Sequence, residues 1–126
     1  DTLLAKSNAR FRIVDFHAES TAEKLALSYY LDGRVSAVFG THTHVPTADA
    51  RVLPQGTGHI TDVGMTGPLE SVLGVVTELA IAKQKNHRPV RFAVAKGRCR
   101  MDTVLFTLDD TTGRCLAAEQ ILEAER

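Results

Sequence analysis

Two histidines stand two positions apart in Gly40-Thr41-His42-Thr43-His44-Val45, directly after the apolar run Val35-Ser36-Ala37-Val38-Phe39. In extended backbone, residues i and i+2 point to the same side, so His42 and His44 can present nitrogen atoms to one point or to two adjacent points. Neutral imidazole suits zinc, iron and other borderline cations, and a glycine before the pair lets the chain turn sharply into such a site. A bare His-x-His also occurs in ordinary surface loops. What strengthens the metal reading is His17, in Asp15-Phe16-His17-Ala18-Glu19 at the end of another predicted strand. If the two runs are neighbouring strands linked by a helix, their ends lie side by side and three imidazoles converge. Three imidazoles can hold one metal ion, with Asp15, Glu19 or Asp62 hydrogen-bonded behind them to fix a ring. Asp15 and Glu19 have an equally simple alternative role at a helix start, where a carboxylate favours the positive end.

The remaining candidates carry less. His59, beside Ile60-Thr61-Asp62, reads as a partly buried strand residue, and His87 in Lys85-Asn86-His87-Arg88 as a solvated one. The segment Asp62-Val63-Gly64-Met65-Thr66-Gly67-Pro68 lacks the spacing and the Gly-Lys-Ser/Thr ending of a phosphate-binding P-loop. Its glycines still permit a close backbone approach to an anion, and equally a plain turn. Cys99 and Cys115 read as small apolar strand residues.

The elements that must position these groups follow from pattern. Residues 10–16 form a β-branched and aromatic stretch predicting a strand. Ser20 or Thr21 can cap a helix with apolar Ala22, Leu25, Ala26, Tyr29 and Tyr30 and a close at Asp32-Gly33. Residues 35–39 are short and, apart from Ser36, apolar, as in a strand buried on both faces. From Thr41 to Gly74 the chain holds three of its four prolines and five of its nine glycines, predicting a long loop system interrupted by a short strand near 59–63. Loops of that length in a compact domain are commonly functional, and this one begins with the His-x-His pair. A helix is predicted at about 74–85, ending before Pro89, and then strands at 90–96, 99–108 and 114–122, an antiparallel meander. The order predicts a mixed α/β or α+β layer structure with helices on sheets.

Composition bounds the partners. With 126 residues, 15 Lys+Arg against 15 Asp+Glu and 44% hydrophobic content, the chain reads as one neutral domain. A chain of this size needs neither disulfides nor a structural metal to fold, so a metal here would serve function. Zero formal net charge removes the electrostatic footprint of a duplex nucleic-acid binder. No apolar run reaches the roughly 18 residues of a membrane span, and the first residues lack the pattern of a secretory signal, so a cytoplasmic location with no membrane partner and two free thiols is expected.

Four ordered blocks, Val14-Asp15-Phe16-His17-Ala18-Glu19, Asp32-Gly33-Arg34-Val35-Ser36-Ala37-Val38, Gly40-Thr41-His42-Thr43-His44-Val45 and Ile60-Thr61-Asp62-Val63-Gly64-Met65-Thr66-Gly67-Pro68, resemble the YmdB-like family of bacterial metallophosphoesterases, in the calcineurin-like superfamily. The resemblance runs from about residue 10 to residue 109. It implies a sandwich of two mixed sheets flanked by helices. It also implies a phosphodiesterase acting on 2′,3′- or 3′,5′-cyclic nucleotides through a metal-bound hydroxide. The implied cofactor is two divalent ions, with Fe, Mn or Zn all compatible. On the resemblance, His17 and His42 bind one ion and His44 the other, while Asp15, Glu19, Thr41 and Asp62 lie behind the ligands or along the substrate.

The chain departs from the family in length. Members are roughly twice as long, and the half not found here is the N-terminal one, which brings an Asp, a Glu-Asn pair and an Asn-His pair. Those residues complete the ligand set and include the histidine that assists the leaving group, so no catalytic group is assigned within this chain. The resemblance thus implies that residues 1–126 are the C-terminal portion of one catalytic domain, holding at most one ion and inactive alone. Its other half would lie on the rest of a longer protein or on a partner chain, and half a sandwich with uncovered faces is expected to form homo-oligomers. A rival reading is a non-catalytic assembly module on the same fold. An amidohydrolase barrel using His-x-His is disfavoured, since it needs about 250 residues and more ligands than this chain supplies.

Overall fold

The computed structural model describes all residues from Asp1 to Arg126. In chain order the elements are α1 (Thr2–Lys6), β1 (Ile13–His17), α2 (Thr21–Leu31), β2 (Ala37–Thr41), β3 (Arg51–Val52), β4 (Gly58–Ile60), β5 (Thr66–Pro68), α3 (Thr77–Asn86), β6 (Cys99–Leu108) and β7 (Cys115–Ala124). They form two sheets, one with strand order β1-β2-β4-β3 and one with order β5-β6-β7.

In the first sheet β1, β2 and β4 are parallel, and β3 closes the far edge antiparallel to β4. The helix between β1 and β2 starts where its cap chemistry dictates, with the Ser20 hydroxyl accepting from the Glu23 amide at 3.3 Å. Its C-terminal Leu31 packs with Val35 and Val38, supported by Leu4, Val14 and Leu27. That apolar cluster sits on one face of the sheet and fixes β1 beside β2, so that His17 is in register with Thr41.

The second sheet covers the other face. A Cβ at Gly58 would fall 2.6 Å from Phe106 Cδ1 and 2.7 Å from Cys115 Sγ, so β4 approaches β6 and β7 at a distance only glycine permits. Backbone and side chain tie the layers together: the Cys115 amide donates to the Gly56 carbonyl at 2.8 Å, and Gln120 Nε2 donates to the Thr47 carbonyl at 3.1 Å.

The meander differs from the expectation in one strand. Residues 90–96 form no strand; they make one isolated antiparallel bridge, Val94 to Val75, with Val76 N donating to Ala93 O at 3.0 Å and Ala95 N to Gly74 O at 2.9 Å. The third strand is instead β5, drawn from the stretch read as loop, because a sheet edge tolerates the glycine and the absent Pro68 N–H that a central strand would not. The helix predicted from residue 74 starts at Thr77, since Gly74 holds φ at 88° and cannot be its first turn. The helix α1 and the two-residue strand β3 are too short to leave a periodic signal.

Candidate functional site

The parallel pairing of β1 with β2 places His17 and Thr41 side by side at the carboxyl ends of both strands, where α/β sheets assemble their sites. His17 Nδ1 lies 3.0 Å from Thr41 Oγ1, and Thr41 Oγ1 lies 3.4 Å from Asp15 Oδ1. A hydroxyl has one proton to give. With that proton donated to the Asp15 carboxylate, the Thr41 oxygen accepts from His17 Nδ1–H, and the neutral ring then presents a bare lone pair at Nε2.

That Nε2 faces His42 Nδ1 at 3.3 Å, with the two rings edge to face and their centroids 5.1 Å apart. Two imidazole nitrogens at the usual ~2.0–2.1 Å from one ion, at a near-tetrahedral angle, stand about 3.3–3.4 Å apart. That separation matches two nitrogens sharing one divalent cation, as it also matches a hydrogen bond between the rings, and the Asp15–Thr41 relay orients the first ring as outer hydrogen bonds orient metal-binding histidines. Both rings are exposed, as an open coordination position requires.

The third imidazole does not join them. His42 has φ 140° and His44 φ 62°, so the His-x-His pair is not extended and its side chains do not share a side. The sequence expectation that all three converge is corrected accordingly: no three potential ligands of the chain surround one point. His44 instead lines a separate cavity of about 150 Å³ with Met65, Leu73, Arg100 and Asp102. There Arg100 forks onto Asp102, with Nε to Oδ1 at 2.5 Å and a terminal nitrogen to Oδ2 at 3.1 Å.

Behind the loop lies Asp62, wholly buried. Its Oδ2 accepts from Lys24 Nζ at 2.8 Å and from Thr43 N at 2.9 Å, and its Oδ1 from Gly64 N at 3.0 Å. Burial alone would raise its pKa, but the hydrogen bonds from Lys24, Thr43 and Gly64 outweigh that and hold the carboxyl below the usual range. Asp62 thus touches the backbone between the two histidines rather than either ring. Glu19 is exposed, precedes the Ser20 cap and takes no part in the network. His59 is buried rather than solvated at a site. Its Nε2 lies 3.2 Å from Asp49 Oδ2, and burial lowers its pKa against the pull of Asp49. His87 is exposed at the left-handed end of α3, and both cysteines are free.

Lys24 is what sequence reading missed. A lysine among the polar positions of an amphipathic helix reads as solvated, yet its aliphatic stem crosses Gly40 and its ammonium ends on Asp62 with 2% of the side chain exposed. The available signal was weak: Gly40, with no side chain, at a buried strand position facing that helix.

Three comparisons bear on this arrangement. Residues 1–121 match the model of a family described as YmdB-like protein. The chain is 52% identical over 124 residues to a 2′,3′-cyclic-nucleotide 2′-phosphodiesterase of Bacillus subtilis, a match that takes in 97% of this chain and 47% of the relative. Its fold is that of a hypothetical protein from Thermus thermophilus, at TM-score 0.92 and 44% identity over 99% of this chain and 49% of that one. It is similarly close to a novel phosphatase of Mycoplasma pneumoniae, at TM-score 0.91 and 41% identity over 98% of this chain and 44% of that one. The chain spans about half the length of the relatives it matches. The two-sheet, mixed α/β half-sandwich implied by the resemblance is the observed fold.

Proposed function

The chain belongs to the YmdB-like protein family, and from that membership we propose that it supplies one part of the metal centre of a phosphodiesterase acting on cyclic nucleotides, with 2′,3′-cyclic monophosphates as the first substrate to test. The observation that carries this reading is the 3.3 Å separation of His17 Nε2 and His42 Nδ1. In it, His17 and His42 hold one divalent ion, and His44, on its own cavity, serves a second. Bound divalent ions would activate a water for in-line attack and neutralise charge on the phosphate oxygens.

The chain's own residues do the positioning. Asp15 and Thr41 fix the tautomer of His17, and the turn from Gly40 into His42 sets the second ring edge-on to it. The cavity beside His44 has apolar walls from Met65 and Leu73 and a charged one from the Arg100–Asp102 pair, and at about 150 Å³ it suits one small part of a nucleotide, such as a base edge. Hydrolysis also needs groups this chain lacks, and the reading places them on a complementary half, in a longer protein or on a partner. The open edge of β1, with Ile13 51% exposed in the strand and Phe11 46% exposed just before it, supports that placement and, failing a partner half, self-association.

The test is elemental analysis of the dialysed chain followed by hydrolysis of 2′,3′-cyclic AMP, alone and with the complementary half of the Bacillus subtilis relative. Expected are no more than one ion per chain, negligible turnover alone, and turnover restored by complementation. Robust hydrolysis by the chain alone would overturn the division of the site. Metal content unchanged by joint substitution of His17, His42 and His44 with alanine would favour a non-catalytic assembly module.

A further inference from the structure

The pair Lys24 and Asp62 lies outside the ligand set, and nothing in the chemistry of phosphodiester hydrolysis calls for it. Both side chains are removed from water, at 2% and 0% exposure, with Nζ and Oδ2 2.8 Å apart. A buried ion pair is weak evidence for stability, because the desolvation of two charges offsets their attraction. Its geometry suggests another use. The oxygen that receives Lys24 also receives the amide of Thr43, the residue between His42 and His44, and the other oxygen receives the amide of Gly64.

The loop so gripped is one that would not hold itself. His42 at φ 140° and His44 at φ 62° occupy backbone regions that residues with a Cβ avoid, and such conformations persist only where surroundings over-determine them. Two further contacts complete the hold: Val63 N donates to Gly40 O at 3.0 Å, and the Lys24 stem lies against Gly40, where a Cβ would be 2.9 Å from Lys24 Cδ. Lys24 therefore touches the start of the loop with its methylenes and the middle of it through Asp62.

We propose that Lys24 and Asp62 form a buried clamp that holds the backbone between His42 and His44 in its strained form, which makes both of them positioning residues for metal binding. The inference rests on the reading of His17 and His42 as ligands. Asp62 ties the loop to α2 and to the turn after β4 at once, so the distance from His42 to His17 is set by the packing of that helix rather than by the loop itself. Loss of the Lys24 charge leaves Asp62 buried without its counter-ion; the carboxyl then either takes up a proton or turns toward water, and both weaken the bond it accepts from Thr43 N.

Cobalt(II) titration followed by visible absorption tests this on the metal-free chain, with thermal unfolding measured in parallel. The variants are Lys24→Met, Asp62→Asn and, as a stability control, Leu31→Ala, which opens the apolar cluster without touching the loop. The wild-type chain is expected to show the visible bands of a nitrogen-ligated cobalt ion. Lys24→Met and Asp62→Asn are each expected to weaken binding about 10–100-fold, the range for outer partners of metal ligands, and to alter the bands. Leu31→Ala is expected to lower the melting temperature and leave both unchanged. Clamp variants that bind as tightly as wild type, or lose no more affinity than Leu31→Ala, overturn the clamp alone. A wild-type chain that binds no cobalt overturns the ligand reading and the clamp with it. If Lys24→Met does not fold, the near-isosteric Asp62→Asn decides by the same criterion.

Discussion

Gly40 runs so close to Thr61 that a Cβ built on it would fall 1.8 Å from the Thr61 carbonyl oxygen. This contact joins the end of β2 to the residue after β4 and brings the His-x-His turn over Asp62. The obstacle is backbone, which has no rotamer to yield, so Gly40→Ala is expected to cost at least the roughly 1–3 kcal/mol of ordinary overpacking, and to displace His42. Urea unfolding midpoints report the first effect and metal affinity the second. A stable Gly40→Ala chain with unchanged affinity would contradict the description of this turn.

The three histidines should not be equivalent in the isolated chain. His17 and His42 face each other while His44 lines a different cavity. His17→Ala and His42→Ala are each expected to remove measurable zinc or cobalt binding at micromolar protein, whereas His44→Ala should leave most of it. Thr41→Val, which removes the acceptor for His17 Nδ1–H, is expected to fall between, at about 10–100-fold. Isothermal titration distinguishes the three classes, and equal losses for all three histidines would restore the single-point arrangement that the backbone angles argue against.

Much of this was legible in the sequence, and what was not has physical causes. The strand-helix-strand unit announces itself because one short apolar run, one Ser cap and one buried run each obey a local rule, and His17 and Thr41 follow from the register between them. The side on which His44 lies depends on two positive φ angles, which leave no mark in residue type when histidine rather than glycine adopts them. Residues 90–96 look like a strand because a β-branched and aromatic stretch reports propensity, not the presence of a partner, and the edge beside β6 went to Thr66–Pro68 instead. Lys24 was invisible because burial of a lysine depends on a carboxylate that arrives from far along the chain.

Asp49 and His59 contribute to the acid behaviour of the fold, alongside the depressed Asp62. Burial pushes the Asp49 carboxyl up, but hydrogen bonds from Thr61 and Thr47, with His59 adding to them, bring it down to about 2. A depressed folded pKa means that the unfolded chain takes up the proton first, so the Asp49 contribution is complete above the unfolded value of about 3.9 and is lost as pH falls toward 2. For His59, burial lowers the folded pKa, so stability is also expected to fall as pH drops below its ordinary value of about 6.5. Urea midpoints between pH 7 and pH 3 should therefore decline in two stages. Asp49→Asn should be the less stable protein at pH 7, with the gap to wild type closing toward pH 2. A gap that stays constant across that range would rule out Asp49 as the source of the lower stage.

The two thiols offer an independent check on how the sheets meet. Cys115 is buried under β4, with its Sγ 3.1 Å from the Ala117 carbonyl, and burial raises its pKa; Cys99 is free and half-buried at the start of β6. Alkylation proceeds through the thiolate, so both access and pKa slow Cys115. Iodoacetamide at pH 8 is expected to label Cys99 first and Cys115 at least about tenfold more slowly, with the difference vanishing in denaturing urea. The same experiment reads the close approach at Gly58. Gly58→Ala, whose Cβ would fall 2.7 Å from Cys115 Sγ, must push the sheets apart and should speed the labelling of Cys115 without changing that of Cys99. Equal native rates for the two thiols would mean that the second sheet does not lie on the first in solution. The cavity beside His44, whose walls include Arg100 and Asp102 from β6, would then lose one side and with it the case for a nucleotide pocket there.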